Sequence, residues 1–163
     1  MKIEQLLAII EAAFDGVPQP TDITLHVAEA HDNYDYSQDE IHRKKDHIGR
    51  WQDVPKAHIQ ACQCALSYVN KIGMRFYLPA YMTWYLTHFG TSEIGSDHTL
   101  YSLDNHPNEQ NLSEYHKERF SLFTPEQLKA CALFMKYCST DTSDWTDTHF
   151  VQKKYYRYWS QYG

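Results

Sequence analysis

From Gly73 to His88 the chain reads G-M-R-F-Y-L-P-A-Y-M-T-W-Y-L-T-H, and no other stretch limits the fold as much. Nearly all of it is apolar or aromatic, and it lies mid-chain. Gly73 suits the left-handed position that closes a preceding helix. Leu78, held extended by the proline after it, predicts the cap of a new helix with Pro79 as its first residue. That helix is expected to run to about His88 and to stop at Gly90. Ala80, Tyr81, Trp84, Tyr85 and His88 form one stripe at spacings of three and four, and Met82, Leu86 and Phe89 form another. Only Thr83 and Thr87 are left clearly polar. A helix apolar on nearly every side belongs at the centre of a bundle.

A chain of 163 residues that is 42% hydrophobic fits one domain, residues 1–163, able to bury roughly two thirds of its unfolded surface. Thirteen tyrosines dominate an aromatic share of 15%, and each carries a hydroxyl that needs a partner when buried. The net charge of −6 argues against nucleic acid or an anionic membrane as the main partner and for a basic one. Protonating all ten histidines would move −6 to +4. Cys62, Cys64, Cys131 and Cys138 lie in helix-like, mostly apolar stretches and read as free thiols of a reducing cytosol. The amino terminus has no charged region followed by an apolar run and a cleavage site, and no segment approaches 18 apolar residues. A cytoplasmic protein is therefore expected.

Taken in order, Ile3, Leu6, Leu7, Ile10, Ala13 and Phe14 predict a first amphipathic helix over residues 3–14. Thr24 can cap a short helix that turns Leu25, Val27 and Ala28 inward and frays near Asn33. From Glu29 to Glu40 come five acids with no Lys or Arg, and Tyr34 and Tyr36 are interleaved. Arg43, Lys44, Lys45 and Arg50 then reverse the sign, so near-neighbour pairs can neutralise much of the field. Asp53 and Pro55 predict the start of a long helix with Ile59, Cys62, Leu66, Val69 and Ile72 on its inner stripe. Residues 90–111 read as a long connection in which His98 to Leu103 is a short strand or a turn of helix. Leu112 to Leu122 has a short helical pattern, and Thr124-Pro125-Glu126-Gln127 matches a capping box with proline at the first position. A polar acidic loop over Asp141 to Asp147 leads into a last helix from Trp145 to Tyr162. Six or seven helical segments with scarcely any strand pattern predict an all-α orthogonal bundle.

Chemistry is thinly signalled. His26 with Glu29 and His42 with Asp46 have the spacing that places two ligands on one helix face, but a metal site needs three or four convergent donors, and no metal or cofactor is expected. There is no G-x-S-x-G, no glycine-rich phosphate loop and no H-E-x-x-H, and no catalytic residue is assigned. Arg75, Tyr77 and Tyr81 could together line a pocket in which the guanidinium binds a carboxylate or phosphate.

Trp51-Gln52-Asp53-Val54-Pro55, read with Phe76-Tyr77-Leu78-Pro79-Ala80-Tyr81-Met82, resembles a family of small bacterial domains of unknown function. That family is marked by a W-x-D-[IV]-P box, a following helix ending in Gly, and an F-Y-L-P-A-Y-M-x-W centre. The likeness runs from about Phe14 to the final helix and takes in Ile23-Thr24-Leu25 and Phe123-Thr124-Pro125-Glu126-Gln127-Leu128. It implies no catalytic residues.

The expectation is a non-enzymatic, cytosolic protein-binding domain, specifically an immunity protein that neutralises a toxin passed between competing bacteria. Such nucleases are often basic, and an acidic-aromatic patch would both steer and anchor one. Asp32, Tyr34, Asp35, Tyr36, Asp39 and Glu40 are the candidate contacts. The alternatives are a small-molecule- or metal-binding enzyme using Arg75, Tyr77 and Tyr81, and a structural module within a larger assembly.

Overall fold

The computed structural model describes residues 1–88, 96–140 and 146–163, and among these the chain forms helices and no strand. In order they are α1 (Ile3–Phe14), α2 (Leu25–Asp32), α3 (Asp39–Arg43), α4 (Lys56–Ala61), α5 (Lys71–Thr87), α6 (Ser96–Tyr101), α7 (Gln110–Arg119), α8 (Pro125–Cys138) and α9 (Thr148–Arg157). Single 3-10 turns sit at Trp51–Asp53, Ala65–Ser67 and Trp159–Gln161. The all-α bundle is thus as expected, with nine helices among the described residues where six or seven were predicted. The surplus is α3 and α6, which are five and six residues long, the second overlapping the stretch read as a short strand or a turn of helix. The predicted stop at Gly90, Phe89, Trp145 and most of the acidic loop lie outside the described residues.

The centre is α5, and its start corrects the sequence reading. Pro79 does not open a helix; it lies inside a continuous one of 17 residues. Asn70 caps that helix, its side chain accepting the Gly73 N–H at 3.0 Å. Gly73 is therefore in the first turn and not at a left-handed helix end. Its role is close approach: a Cβ built there would lie 2.9 Å from the Val69 Cβ. An interior proline forfeits a helical hydrogen bond at a cost of about 3 kcal/mol. Twelve of the 17 residues are buried, and at roughly 1.5–3 kcal/mol for each large side chain so buried, packing outweighs that cost.

The long helix predicted before α5 is broken. Cys62 ends α4 with φ −115° and ψ 51°, the 3-10 turn at Ala65–Ser67 follows, and Ile72 already belongs to α5 and is exposed. Ile59, Cys62, Leu66 and Val69 are nevertheless all buried. Asp53 does not cap α4; it lies in the first 3-10 turn, paired with Arg50 at 3.2 Å, and Pro55 holds the N-cap position. The predicted capping box of α8 is present, with Gln127 N–H donating to Thr124 Oγ1 at 3.2 Å and Thr124 N–H to Gln127 Oε1 at 3.0 Å. The Gln127 amide also reaches the Ala13 carbonyl at 3.1 Å and so ties α8 to the end of α1. The last helix is shorter than predicted: Asp147 caps α9 by accepting the Phe150 N–H at 3.1 Å, and the chain finishes in a 3-10 turn around buried Trp159.

Three tyrosines spaced by four along α5 fasten its neighbours. The Tyr77 hydroxyl accepts the Leu25 N–H at the start of α2 at 3.2 Å, the Tyr81 hydroxyl donates to the Cys62 carbonyl at the end of α4, and the Tyr85 hydroxyl meets the Thr146 hydroxyl just before α9. Helix termini leave backbone groups without intrahelical partners, and here tyrosine hydroxyls at the core satisfy them. Tyr81→Phe should lower stability by about 0.5–1.5 kcal/mol, the net worth of one buried hydrogen bond, because the Cys62 carbonyl then keeps only the Ala65 N–H at 3.3 Å; an unchanged urea midpoint would refute this. Gly73→Ala should cost about 1–3 kcal/mol by overpacking against the Val69 Cβ; a thermal melting curve that does not move would show that the contact relaxes freely.

Candidate functional site

The segment after α2 is built by a helix-end motif with an unusual residue at its key position. Asn33 ends α2, Tyr34 N–H donates to the His31 carbonyl at 3.0 Å, and Asp35 N–H to the Ala30 carbonyl at 2.9 Å. This bond pair is the Schellman motif, whose first residue past the cap is left-handed and usually glycine. Tyr34 takes that position at φ 59°, a conformation that costs a side chain with a Cβ about 1–2 kcal/mol. Its ring is 87% exposed, so no burial offsets the strain. Tyr36, at 62% exposure, leans on the His31 ring at 4.6 Å. Ile41 on α3 is also exposed, and Ile48 is exposed beside Thr21, Thr24 and Arg43 at the other end of α2.

The acids around them are held by histidines. His31 Nε2 lies 2.9 Å from Asp39 Oδ1, and His42 Nε2 lies 2.9 Å from Asp35 Oδ2, so two pairs lace α2 and α3 together. The His42 bond, helped by the Ser37 N–H, holds the Asp35 carboxyl below the usual range. Glu40 pairs with Arg43, which also reaches Asp22, and Asp32 accepts a hydrogen bond from the Tyr68 hydroxyl. Of the six candidate contacts, the four acids therefore have partners within the chain, whereas Tyr34 and Tyr36 project. Ile41 and Ile48 were missed by the sequence reading; an aliphatic residue amid charged ones was the available signal.

The proposed trio on α5 is not assembled as a pocket. Tyr77 and Tyr81 are 2% and 1% exposed, with hydroxyls committed to backbone, and Arg75 donates to the Leu122 carbonyl at 3.3 Å. The predicted histidine–carboxylate spacings are also re-paired. Asp46 bonds not His42 but His26, Oδ1 lying 2.5 Å from Nδ1, and both oxygens accept the His26 backbone N–H at 3.2 and 3.0 Å. Asp46 thus caps α2, while the Thr24 hydroxyl stays buried and unpartnered. Ligand atoms of His26, Asp46 and His58 lie within 4.8 Å of one another. Asp46 bonds both the ring and the backbone N–H of His26, and the His58 Nδ1 is buried without a partner, so one carboxylate and two imidazoles converge, one donor short of a closed four-ligand set. Burial pushes the Glu29 carboxyl up, Asp32 reinforcing it, and burial pushes the Cys62 thiol up to about 12. A thiol so raised stays protonated at neutral pH and is not poised as a nucleophile.

A cleft of about 520 Å³ lies between α6, α7 and the 3-10 turn at Ala65–Ser67. Tyr101, Asp104, Tyr115, His116 and Arg119 are among its walls. Asp104 is bound by Lys154 at 2.5 Å and His106 at 3.6 Å. His116 is 4% exposed and stacks on Phe120 at 4.4 Å, its Nε2 without a partner. Burial, reinforced by the neighbouring Arg119 and His106 and opposed by Asp104, pushes His116 down to about 4. The sequence signal for this wall was the spacing of Leu112, Tyr115, His116 and Arg119 on one face of a polar helix.

The His116 shift fixes a pH dependence. Unfolded, the ring takes a proton near its ordinary 6.5; folded, it stays neutral until about 4. Stability therefore falls as pH drops from 6.5 toward 4, by about 3 kcal/mol in all, and His58, also pushed down by burial, adds to the slope. His116→Gln should flatten the dependence of the urea midpoint on pH over this interval; parallel profiles for variant and wild type would show that His116 is not its source.

No helix among the described residues is long and apolar enough to cross a membrane. No curated protein and no solved structure matches the chain. One family does match, over residues 2–163, and so the chain belongs to DUF6714, a family of unknown function.

Proposed function

We propose that this is a non-enzymatic protein-binding domain that presents the α2–α3 face to a basic partner protein. The observation that carries the reading is Tyr34: a bulky aromatic held exposed in a backbone conformation that favours glycine. Folding alone would be better served by Gly or Asn at that position. With Tyr36 and the exposed Ile41 of α3, Tyr34 supplies the apolar and aromatic anchors typical of binding hot spots. Asp35 and Asp39, kept in place by His42 and His31, supply an acidic rim. Such a rim speeds association with a basic partner and disfavours acidic ones. In its specific form, the reading is that of a bacterial, cytoplasmic immunity protein whose partner is a basic toxin domain delivered by a competitor. The trio of Arg75, Tyr77 and Tyr81 gives the small-molecule alternative no comparable support, since two of its members are spent inside the core.

The two roles of Tyr34 can be separated. Tyr34→Gly relieves the left-handed strain and should raise stability by about 0.5–1 kcal/mol, while weakening the complex at least about tenfold, the loss of one hot-spot side chain. Co-expression with a genetically adjacent basic toxin, followed by gel filtration, reads both effects. The reading fails if wild-type protein neither protects cells nor co-elutes with the toxin, or if Tyr34→Gly protects as well as wild type does.

A further inference from the structure

The cleft walled by α6 and α7 differs in character from the rest of this acidic molecule. Arg119 is 7% exposed, and among the described residues no carboxylate lies within ion-pair distance of it. Its Nη2 donates to the Leu66 carbonyl and contacts the Met74 sulfur at 3.0 Å, its carbon centre sits 4.9 Å over the Tyr115 ring, and its Nε–H is buried with no partner. A guanidinium carries five N–H donors and a charge that it does not give up. Burying that charge without a counterion is among the costlier things a fold can do. A helix tie to one carbonyl needs only one neutral donor, so tying Leu66 does not account for an arginine. The one carboxylate among the described lining residues, Asp104, is already neutralised by Lys154. Among the described residues the wall is thus left with an unpaired positive charge in a protein of charge −6.

We infer that this cleft is a binding site for a small organic anion whose carboxylate or phosphate pairs with Arg119 and whose body lies among Tyr68, Tyr101 and Tyr115. The volume of about 520 Å³ is that of a small-molecule pocket. Arginine matches the planar or trigonal oxygens of both anion classes. The aromatic walls suit a flat or apolar remainder, and Ser67 and Ser102 are neutral polar groups of the same lining. His116, uncharged at neutral pH, adds an unpartnered ring nitrogen to the wall without competing for the anion. This site meets the α2–α3 face at Tyr68, whose hydroxyl is bonded to Asp32, and it needs no partner protein.

Phenyl phosphate, benzoate and uncharged benzyl alcohol, each titrated into the full chain and followed by amide NMR shifts, test the inference. At least one of the anions should bind saturably at millimolar concentration or tighter, with shifts centred on Ser67, Tyr68, Tyr115 and Arg119. The stronger anion identifies the ligand class. Arg119→Met should weaken it at least tenfold. Leu112→Trp, a change at a half-exposed wall residue that fills the cleft and leaves Arg119 in place, should do the same and decides the matter if Arg119→Met does not fold. Three results overturn the inference: no saturable shift at the cleft with either anion, equal binding of benzyl alcohol, or undiminished binding by Leu112→Trp. Toxin protection, if present, should survive Leu112→Trp, so failure here and failure of the docking role are distinguishable.

Discussion

The rest of the structure depends on how α5 satisfies the hydroxyls it buries. A helix apolar on almost every side could be enclosed in many registers, since hydrophobic burial has no direction. Tyr77, Tyr81 and Tyr85 remove that freedom. Each hydroxyl must find a partner or cost about 1–3 kcal/mol, and each finds one at the end of a different neighbouring element. The requirement acts in both directions: the first N–H of α2 and the last carbonyl of α4 need partners as much as the tyrosines do. Packing sets the composition of this core, and hydrogen bonds set its geometry.

How much of this could be read from the sequence depended on the range over which each signal acts. The α8 capping box needs only residues 124–127 and formed as predicted. Inward-facing positions were also legible: Ile59, Cys62, Leu66 and Val69 are buried as the periodicity required. The element carrying them was not, because a break at Cys62 followed by a 3-10 turn returns the same residues to the same side. Pro79 misled for the opposite reason. Its local preference against a helix interior is real, but it competes with the burial of an entire 17-residue helix and loses. The partners of His26, His31 and His42 are set by how the chain folds back between α2 and α4, which helical spacing does not encode. For Arg119 the spacing with Leu112, Tyr115 and His116 marked a common helix face, but a polar helix facing solvent and one lining a cleft have the same composition, so its burial was not legible.

The α2 helix links core and surface. Its first N–H groups are held by Tyr77 from the core and by Asp46 from beyond α3, and its far end carries the strained Tyr34. A helix of eight residues has little stability of its own. Without those two distant caps it would fray, and the left-handed turn at Tyr34 would relax. Strain at a protein surface persists only where the surroundings over-determine the backbone. The His31–Asp39 and His42–Asp35 pairs do this from the far side, binding the turn to α3.

The distribution of charge follows the same division. On the α2–α3 face imidazoles fix the positions of two carboxylates, so acidic groups are held in place at the surface. In the cleft the carboxylate is bound by Lys154 and the guanidinium is left over. Opposite local potentials within one small domain would cancel if exposed side by side in water, where exposed charges are screened within about 8–10 Å. Burial of Arg119 prevents this. A charge at 7% exposure acts mainly on what enters the cleft, whereas the exposed acids act on what approaches from solution. One chain can in this way hold two recognition chemistries of opposite sign, one presented at the surface and the other withdrawn from it.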